Sequence, residues 1–405
     1  MNWIENIIKK SAPIEANSAL ELQLVSKMVA IAKERHSQDY SCGMMLAAFY
    51  DLAISAVYYS NITNSGWLYC DEGTPKLVLP FVNCCPIHAL EGKFVFHKSS
   101  KPTSAKIGQA TTRVLLLFYN ELFRLQGMDV QVLKATEPAD TIFIDRDNRS
   151  LFFGEIKSSP LLTPAIVTDC EPQITYDEGG NVIQMSHRPV NNPYVNQNKL
   201  YILVPEEDER GTWKPSYFLI GSRKSNSDED YAYNGIINLL DDERFLGTYL
   251  KYWNRSFLAY SKKEENDNIF WLTNACGKPS NLPDDWAGGV TCISDEKTSV
   301  GMDRTDDIKK GIYQVLKLGS EGKRVPSLYS YKVGIVSNIH PVRHFGVYLK
   351  PIKDLIWTIS EENDVRYVRD LPPEHPLYNL FDGIITFTKI YSKDKWVSEL
   401  IKIIE

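Results

Sequence analysis

Two carboxylates and an ammonium fall into register within one short stretch of this chain. Residues 140–157 read Asp-Thr-Ile-Phe-Ile-Asp-Arg-Asp-Asn-Arg-Ser-Leu-Phe-Phe-Gly-Glu-Ile-Lys, with the apolar runs Thr141–Asp145 and Ser150–Ile156 flanking the turn Arg146-Asp147-Asn148-Arg149. Asp and Asn suit the backbone conformations of tight hairpin turns. With residue 145 facing 150, paired residues have numbers that sum to 295, and Asp140 lies opposite Glu155. Opposed residues of a hairpin share a face, with Cβ atoms about 4.5–5.5 Å apart. Lys157, two residues on, joins that face. This pattern brings together oxygen ligands for one divalent cation and a positive charge beside them.

The flanking elements must hold these groups in place. Ile142 and Ile144 share a face with Leu151 and Phe153, while Phe143 and Phe152 share the other. Both faces are apolar, as in a central strand covered on both sides. Charges at the end of such a strand are costly unless paired or metal-bound. Upstream, Ser104–Gln126 has helical spacing, with the stripe Val114, Phe118, Leu122, Leu125, an N-cap candidate in Ser104 and a stop in Gly127. Met128–Lys134 alternates like a short strand. The predicted order is helix and three strands, with the carboxylates on the last two.

Pro138-Ala139-Asp140 followed by Glu155-Ile156-Lys157 resembles the active-site signature of the PD-(D/E)XK nuclease superfamily, best known from type II restriction endonucleases. One Ala separates the Pro from the Asp, and the resemblance covers roughly residues 104–157. It implies an α/β (α+β) fold with a restriction-endonuclease-like core, a mixed central β-sheet flanked by helices, here joined to a helical N-terminal region and large additions. It further implies Mg²⁺ held by Asp140, Glu155 and the carbonyl of Ile156, with Lys157 as a catalytic residue and Glu121 as a further acidic group. The expected activity is sequence-specific hydrolysis of double-stranded DNA by a homodimer, with a cognate DNA methyltransferase as a partner acting on the same site. Glu121 is equally placed for an i,i+3 ion pair with Arg124.

Asp/Glu-x-Lys by itself is common: Glu91, Asp295, Asp307 and Glu321 also begin one. The chief competitor is Pro283-Asp284 before Asp295-Glu296-Lys297, with a short strand Val290–Ser294 between them and Ala287-Gly288-Gly289 interrupting the strand that an opposed pair requires. That region could instead read bases through Lys297 or Arg304. Two alternatives stand beside the restriction enzyme: another nuclease of the superfamily, acting in repair or phage defence, and a non-catalytic DNA-binding protein.

The net charge of −6 gives no general affinity for nucleic acid, but phosphate contact is local. From Gly92 to Asn120 there is no Asp or Glu, and Lys98, Lys101, Lys106 and Arg113 lie there among Ser and Thr hydroxyls, as phosphate contact requires. The acidic clusters Glu206–Glu209, Asp228–Asp230 and Asp241–Glu243 would then face away from DNA.

With 405 residues, 43% hydrophobic and 24% charged, an ordinary globular chain of two domains is expected. No apolar run approaches the roughly 18 residues of a spanning helix, and no secretory signal is evident, so a cytosolic location is expected. Seven Cys do not suggest a disulfide framework. Cys70, Cys84, Cys85 and His88 lack the two spaced ligand pairs of structural zinc sites and are read as buried thiols. Pro341 argues against a helical metal pair at His340 and His344. The segments are 1–91, mostly helical; 92–260, the catalytic core; and 261–405, an α/β region for DNA recognition or completion of the core. Pro160 and Pro164 break the helix that nuclease relatives place after the Lys-bearing strand. Helix Thr305–Leu318, stopped by Gly319, and strand Tyr331–Ile339 supply a later helix and strand; if they complete the core, residues 158–300 are an insertion.

Overall fold

The computed structural model describes residues 3–93, 99–172, 174–176, 178–180, 182–184, 189–225, 227–264, 266–274, 300–358 and 367–392. In chain order the elements are α1 (Trp3–Lys10), β1 (Ala12–Pro13), α2 (Ala19–Arg35), α3 (Cys42–Ser60), β2 (Trp67–Cys70), β3 (Lys76–Leu79), α4 (Pro86–Leu90), α5 (Ser104–Leu125), β4 (Val130–Lys134), β5 (Thr141–Asp145) and β6 (Ser150–Ile156). Then come β7 (Ile166–Asp169), β8 (Ile174–Tyr176), β9 (Val182–Gln184), β10 (Pro189–Val190), β11 (Lys199–Glu207), β12 (Trp213–Ser222), α6 (Asp230–Leu239) and α7 (Glu243–Lys262). The last are α8 (Thr305–Gly322), β13 (Ser330–Val336), β14 (Ile356–Trp357), β15 (Tyr378–Asn379), β16 (Gly383–Ile385) and β17 (Tyr391–Ser392).

These elements form two compact units, and the chain passes between them more than once. Unit 1 comprises residues 1–15, 115–158 and 301–405; unit 2 comprises 16–114 and 159–300. The three consecutive segments read from the sequence therefore interleave. Residues after 300 belong to the same unit as the hairpin, and 159–300 stand as an insertion between β6 and α8.

Unit 1 is built on a seven-stranded mixed sheet ordered β1-β4-β5-β6-β13-β16-β17. The β5–β6 hairpin has the expected register, from Thr141 opposite Gly154 to Asp145 opposite Ser150. The turn closes with Asp145 accepting hydrogen bonds from the Asn148 backbone and side chain, and with Arg149 at positive φ. β13 pairs in parallel with β6, which requires a crossover, and α8 supplies its helix. Both faces of the hairpin are covered. Ile142, Leu151 and Phe153 pack with Val333, Ile335, Ile308, Val315 and Leu318, and with Ile4 and Ile7 of α1. On the other face, Phe143 meets Tyr119 and Phe123 of α5. Each such apolar side chain contributes on the order of 1.5–3 kcal/mol when fully buried. A row of glycines, Gly154, Gly334 and Gly383, crosses three adjacent strands. A methyl group on Gly334 would lie 2.1 Å from the Gly383 carbonyl oxygen and 2.8 Å from the Phe152 ring.

Two helix expectations need correction. α8 runs past Gly319 to Gly322, because the missing Cβ at Gly319 admits the Leu380 carbonyl, which would lie 2.8 Å from a methyl group there. Cys42–Ser60, interrupted by Asp51, is long and apolar enough to cross a membrane, and nearly all of it is buried within unit 2.

Unit 2 has a six-stranded sheet ordered β10-β2-β3-β7-β11-β12. Helices α2, α3, α6 and α7 also belong to it. Asp51, fully buried on α3, accepts hydrogen bonds from the backbones of Leu161 and Leu162 and from the Trp253 indole. This anchors the non-helical Pro160–Pro164 stretch. The acidic clusters of this unit are largely paired: Glu206 with Arg244, Glu207 with Lys251, Asp208 with Lys214, Asp241 with Lys27 and Glu243 with Arg35.

Candidate active site

The hairpin register delivers Asp140, Glu155 and Lys157 to one end of the unit 1 sheet, on its α8 face. Asp140 immediately precedes β5, and its backbone N–H donates to the Gly154 carbonyl at 3.1 Å. Its Oδ2 accepts from the Ile156 backbone N–H at 2.8 Å, which ties the carboxylate to the last residue of β6. Glu155 is only 6% exposed. Its Oε1 lies 2.5 Å from Lys157 Nζ, and the same ammonium lies 3.3 Å from the Ile156 carbonyl oxygen.

The electrostatics follow from this packing. Burial pushes the Glu155 carboxyl up to about 7, the neighbouring Asp140 carboxylate adds to the rise, and Lys157 opposes it. Neighbouring carboxylates resist ionising together, so the Glu155 carboxyl favours its protonated form more than a free one does.

Residues remote in sequence hold Lys157 in place. Its N–H donates to the Val336 carbonyl at 3.1 Å, and its own carbonyl accepts from Ser337 Oγ at 2.6 Å. Its aliphatic stem passes α8 at Gly311, where a methyl group would lie 3.4 Å from Cγ. Neither Ser337 nor Gly311 carries a local signal of this role, since both come from elements beyond the insertion.

Other candidates are placed differently. Glu121 is buried on α5, and its two oxygens accept from the Arg124 guanidinium at 2.5 and 2.9 Å, the i,i+3 ion pair. Arg113 is not displayed for phosphate. Its guanidinium engages Glu21 at 2.8 Å, and Glu21 is 1% exposed. Lys101 and Lys106 do line a surface groove of unit 2, with Asn61, Thr63, Ser100 and Thr103. Arg304 directly precedes α8 and lies 3.7 Å from Asp307. Lys98, Lys297 and the competing Asp284 and Asp295–Lys297 motif lie outside the described residues.

His340 and His344 do not form a metal pair on a helical turn. The connecting backbone N–H groups of Val342, Arg343 and His344 converge on the buried Asp303 carboxylate at 2.9–3.0 Å. Cys42, Cys70, Cys84 and Cys85 are buried free thiols, and Cys170 is half-buried.

No protein-family model matches this chain, and neither a curated protein nor a solved structure does.

Proposed function

We propose that this chain is a Mg²⁺-dependent endonuclease of the PD-(D/E)XK type, cutting double-stranded DNA at a specific sequence as type II restriction enzymes do. One observation carries the reading: a carboxylate pair, half-buried Asp140 and buried Glu155, shares a strand end with an ammonium that touches Glu155. The order of elements supports it: helix α5, strands β4, β5 and β6, then helix α8 and strand β13 in one sheet unit.

The donor set suits a hard cation, because Asp140, Glu155 and the Ile156 carbonyl offer only oxygen. The Lys157 ammonium already contacts two of those three groups, so their oxygens accommodate positive charge. Held there, Mg²⁺ would supply a water of lowered pKa and offset charge at phosphorus. Glu155, as its carboxylate, would be one of the groups that hold the ion, and Lys157 would orient the attacking water and stabilise charge beside the scissile phosphate. Glu121 stays with Arg124, and Lys101 and Lys106 serve as phosphate contacts. The active form is a cytosolic homodimer, with a methyltransferase protecting the same DNA site.

Unmethylated plasmid and phage DNA should be incubated with the protein in Mg²⁺ and in EDTA, beside Glu155→Ala and Lys297→Ala variants. Discrete Mg²⁺-dependent fragments, lost with Glu155→Ala while DNA binding persists, are expected. Smearing would place the chain among less specific nucleases of the superfamily. Loss with Lys297→Ala alone would move the site to the later motif, and binding without cleavage would leave a DNA-binding protein.

A further inference from the structure

Unit 2 contains a second cluster of a different chemical character. Cys70 ends β2, Cys85 precedes the first residue of α4, and His88 lies on α4. Their side chains meet: His88 Nδ1 is 3.5 Å from Cys70 Sγ and 3.3 Å from Cys85 Sγ, and all three ligand atoms lie within 4.8 Å of one another. None is more than 3% exposed. The surroundings are apolar, with Leu68, Val78, Ile87 and Val167 in the same core cluster.

One imidazole nitrogen faces both sulfurs, so the three groups converge on a common centre. A tetrahedral ion accounts for it directly. Metal–sulfur and metal–nitrogen bonds of about 2.3 and 2.0–2.1 Å put sulfur and nitrogen ligands roughly 3.5 Å apart, the separation seen here. The outer nitrogen of His88 has the partner that such a ligand needs: Nε2 is 3.5 Å from Glu72 Oε2. A carboxylate on the far side of a ligating imidazole fixes its tautomer and raises its basicity.

We propose that Cys70, Cys85 and His88 bind a thiophilic divalent cation of the zinc class, with Glu72 as the positioning residue for His88. Two sulfurs and a nitrogen select such an ion over Mg²⁺, so the site is distinct in chemistry from the oxygen-lined cluster of unit 1. Three protein ligands leave the fourth position to water or an exogenous donor. The bound ion would tie α4 to the end of β2. Cys84 takes no part, because its sulfur donates to the Trp271 carbonyl at 3.3 Å.

The full chain should be purified without chelator, its metal measured by elemental analysis, and Co²⁺ then added to chelator-stripped protein. One zinc per chain is expected, along with a cobalt spectrum showing thiolate charge transfer and tetrahedral ligand-field bands. Cys85→Ser and His88→Ala should abolish both signals. Cys84→Ser and Asp140→Asn should keep them, and Glu72→Gln should weaken zinc affinity by about 10–100-fold. Wild-type protein with neither bound zinc nor a cobalt–thiolate band would overturn the proposal, whatever the folding of the variants. So would a Cys70–Cys85 disulfide in the purified chain, revealed by two missing thiols after denaturation.

Discussion

In the proposed Mg²⁺ site, the raised carboxyl of Glu155 makes cation binding a proton exchange. The group is displaced from 4.5 to about 7, by burial first and by Asp140 second. Mg²⁺ must expel that proton whenever the solution lies below about pH 7, and each further pH unit weakens apparent binding about tenfold. Affinity should therefore be about 30-fold lower near pH 5.5 than near pH 8. Titration calorimetry in two buffers of different ionisation heat reads the exchange directly. About one proton should be released per ion near pH 5.5, and about a tenth of one near pH 8. Stability has the matching sign. A folded-state pKa raised above the unfolded value contributes stability that is fully present below the unfolded pKa and disappears as pH rises through the folded one. Metal-free unit 1 should thus lose up to about 3 kcal/mol between about pH 4.5 and values well above 7, and Mg²⁺ should offset that loss. Glu155→Gln should flatten both profiles. Equal Mg²⁺ affinity at the two pH values without proton release, or an unchanged profile in Glu155→Gln, would refute the reasoning.

Three further substitutions test stability. Gly334→Ala puts a methyl group 2.1 Å from the Gly383 carbonyl oxygen, so β13 and β16 must separate; a loss of about 3 kcal/mol or more is expected in denaturant unfolding. Gly108→Ala, on an open face of α5, should instead gain up to about 1 kcal/mol by the same measurement. Arg113→Ala leaves Glu21 buried without its guanidinium partner and should cost about 3–5 kcal/mol in unfolding experiments. Lys106→Ala should leave stability unchanged and reduce the salt slope of DNA binding by about 1, and the reverse pattern for these two residues would overturn their assignments.

What could be read in advance was local. The α5 helix, the strand after it and the hairpin register depend on apolar period and turn residues within a few positions, and the structure has all three. The errors came from partners far away in the chain. Arg113 looked like a phosphate ligand because Glu21 is 92 residues earlier. Gly319 looked like a helix stop because the backbone of Leu380 that fills its missing side chain is remote. Buried thiols at Cys70, Cys84 and Cys85 were legible from the sequence; that Cys70 meets Cys85 and His88 depends on how β2 packs beside α4, which spacing along the chain does not show. Tyr331–Ile339 does read as a strand that completes the core beyond an insertion; only its register against β6 has no signal in either run.

That insertion has a consequence during synthesis. Ser150 of β6 pairs with Ser330 of β13, so the ribosome must add 180 residues before the partner strand exists. At roughly 5–20 residues per second, β6 spends on the order of ten to forty seconds as an open, apolar edge. Glu155 and Lys157 meanwhile lack the backbone partners that β13 and Ser337 provide. A nascent or prematurely ended chain therefore carries the two carboxylates and the ammonium without the sheet that orders them. Assembly of the charged cluster is tied to synthesis of β13, while the open edge makes that interval the one in which chaperone protection matters most.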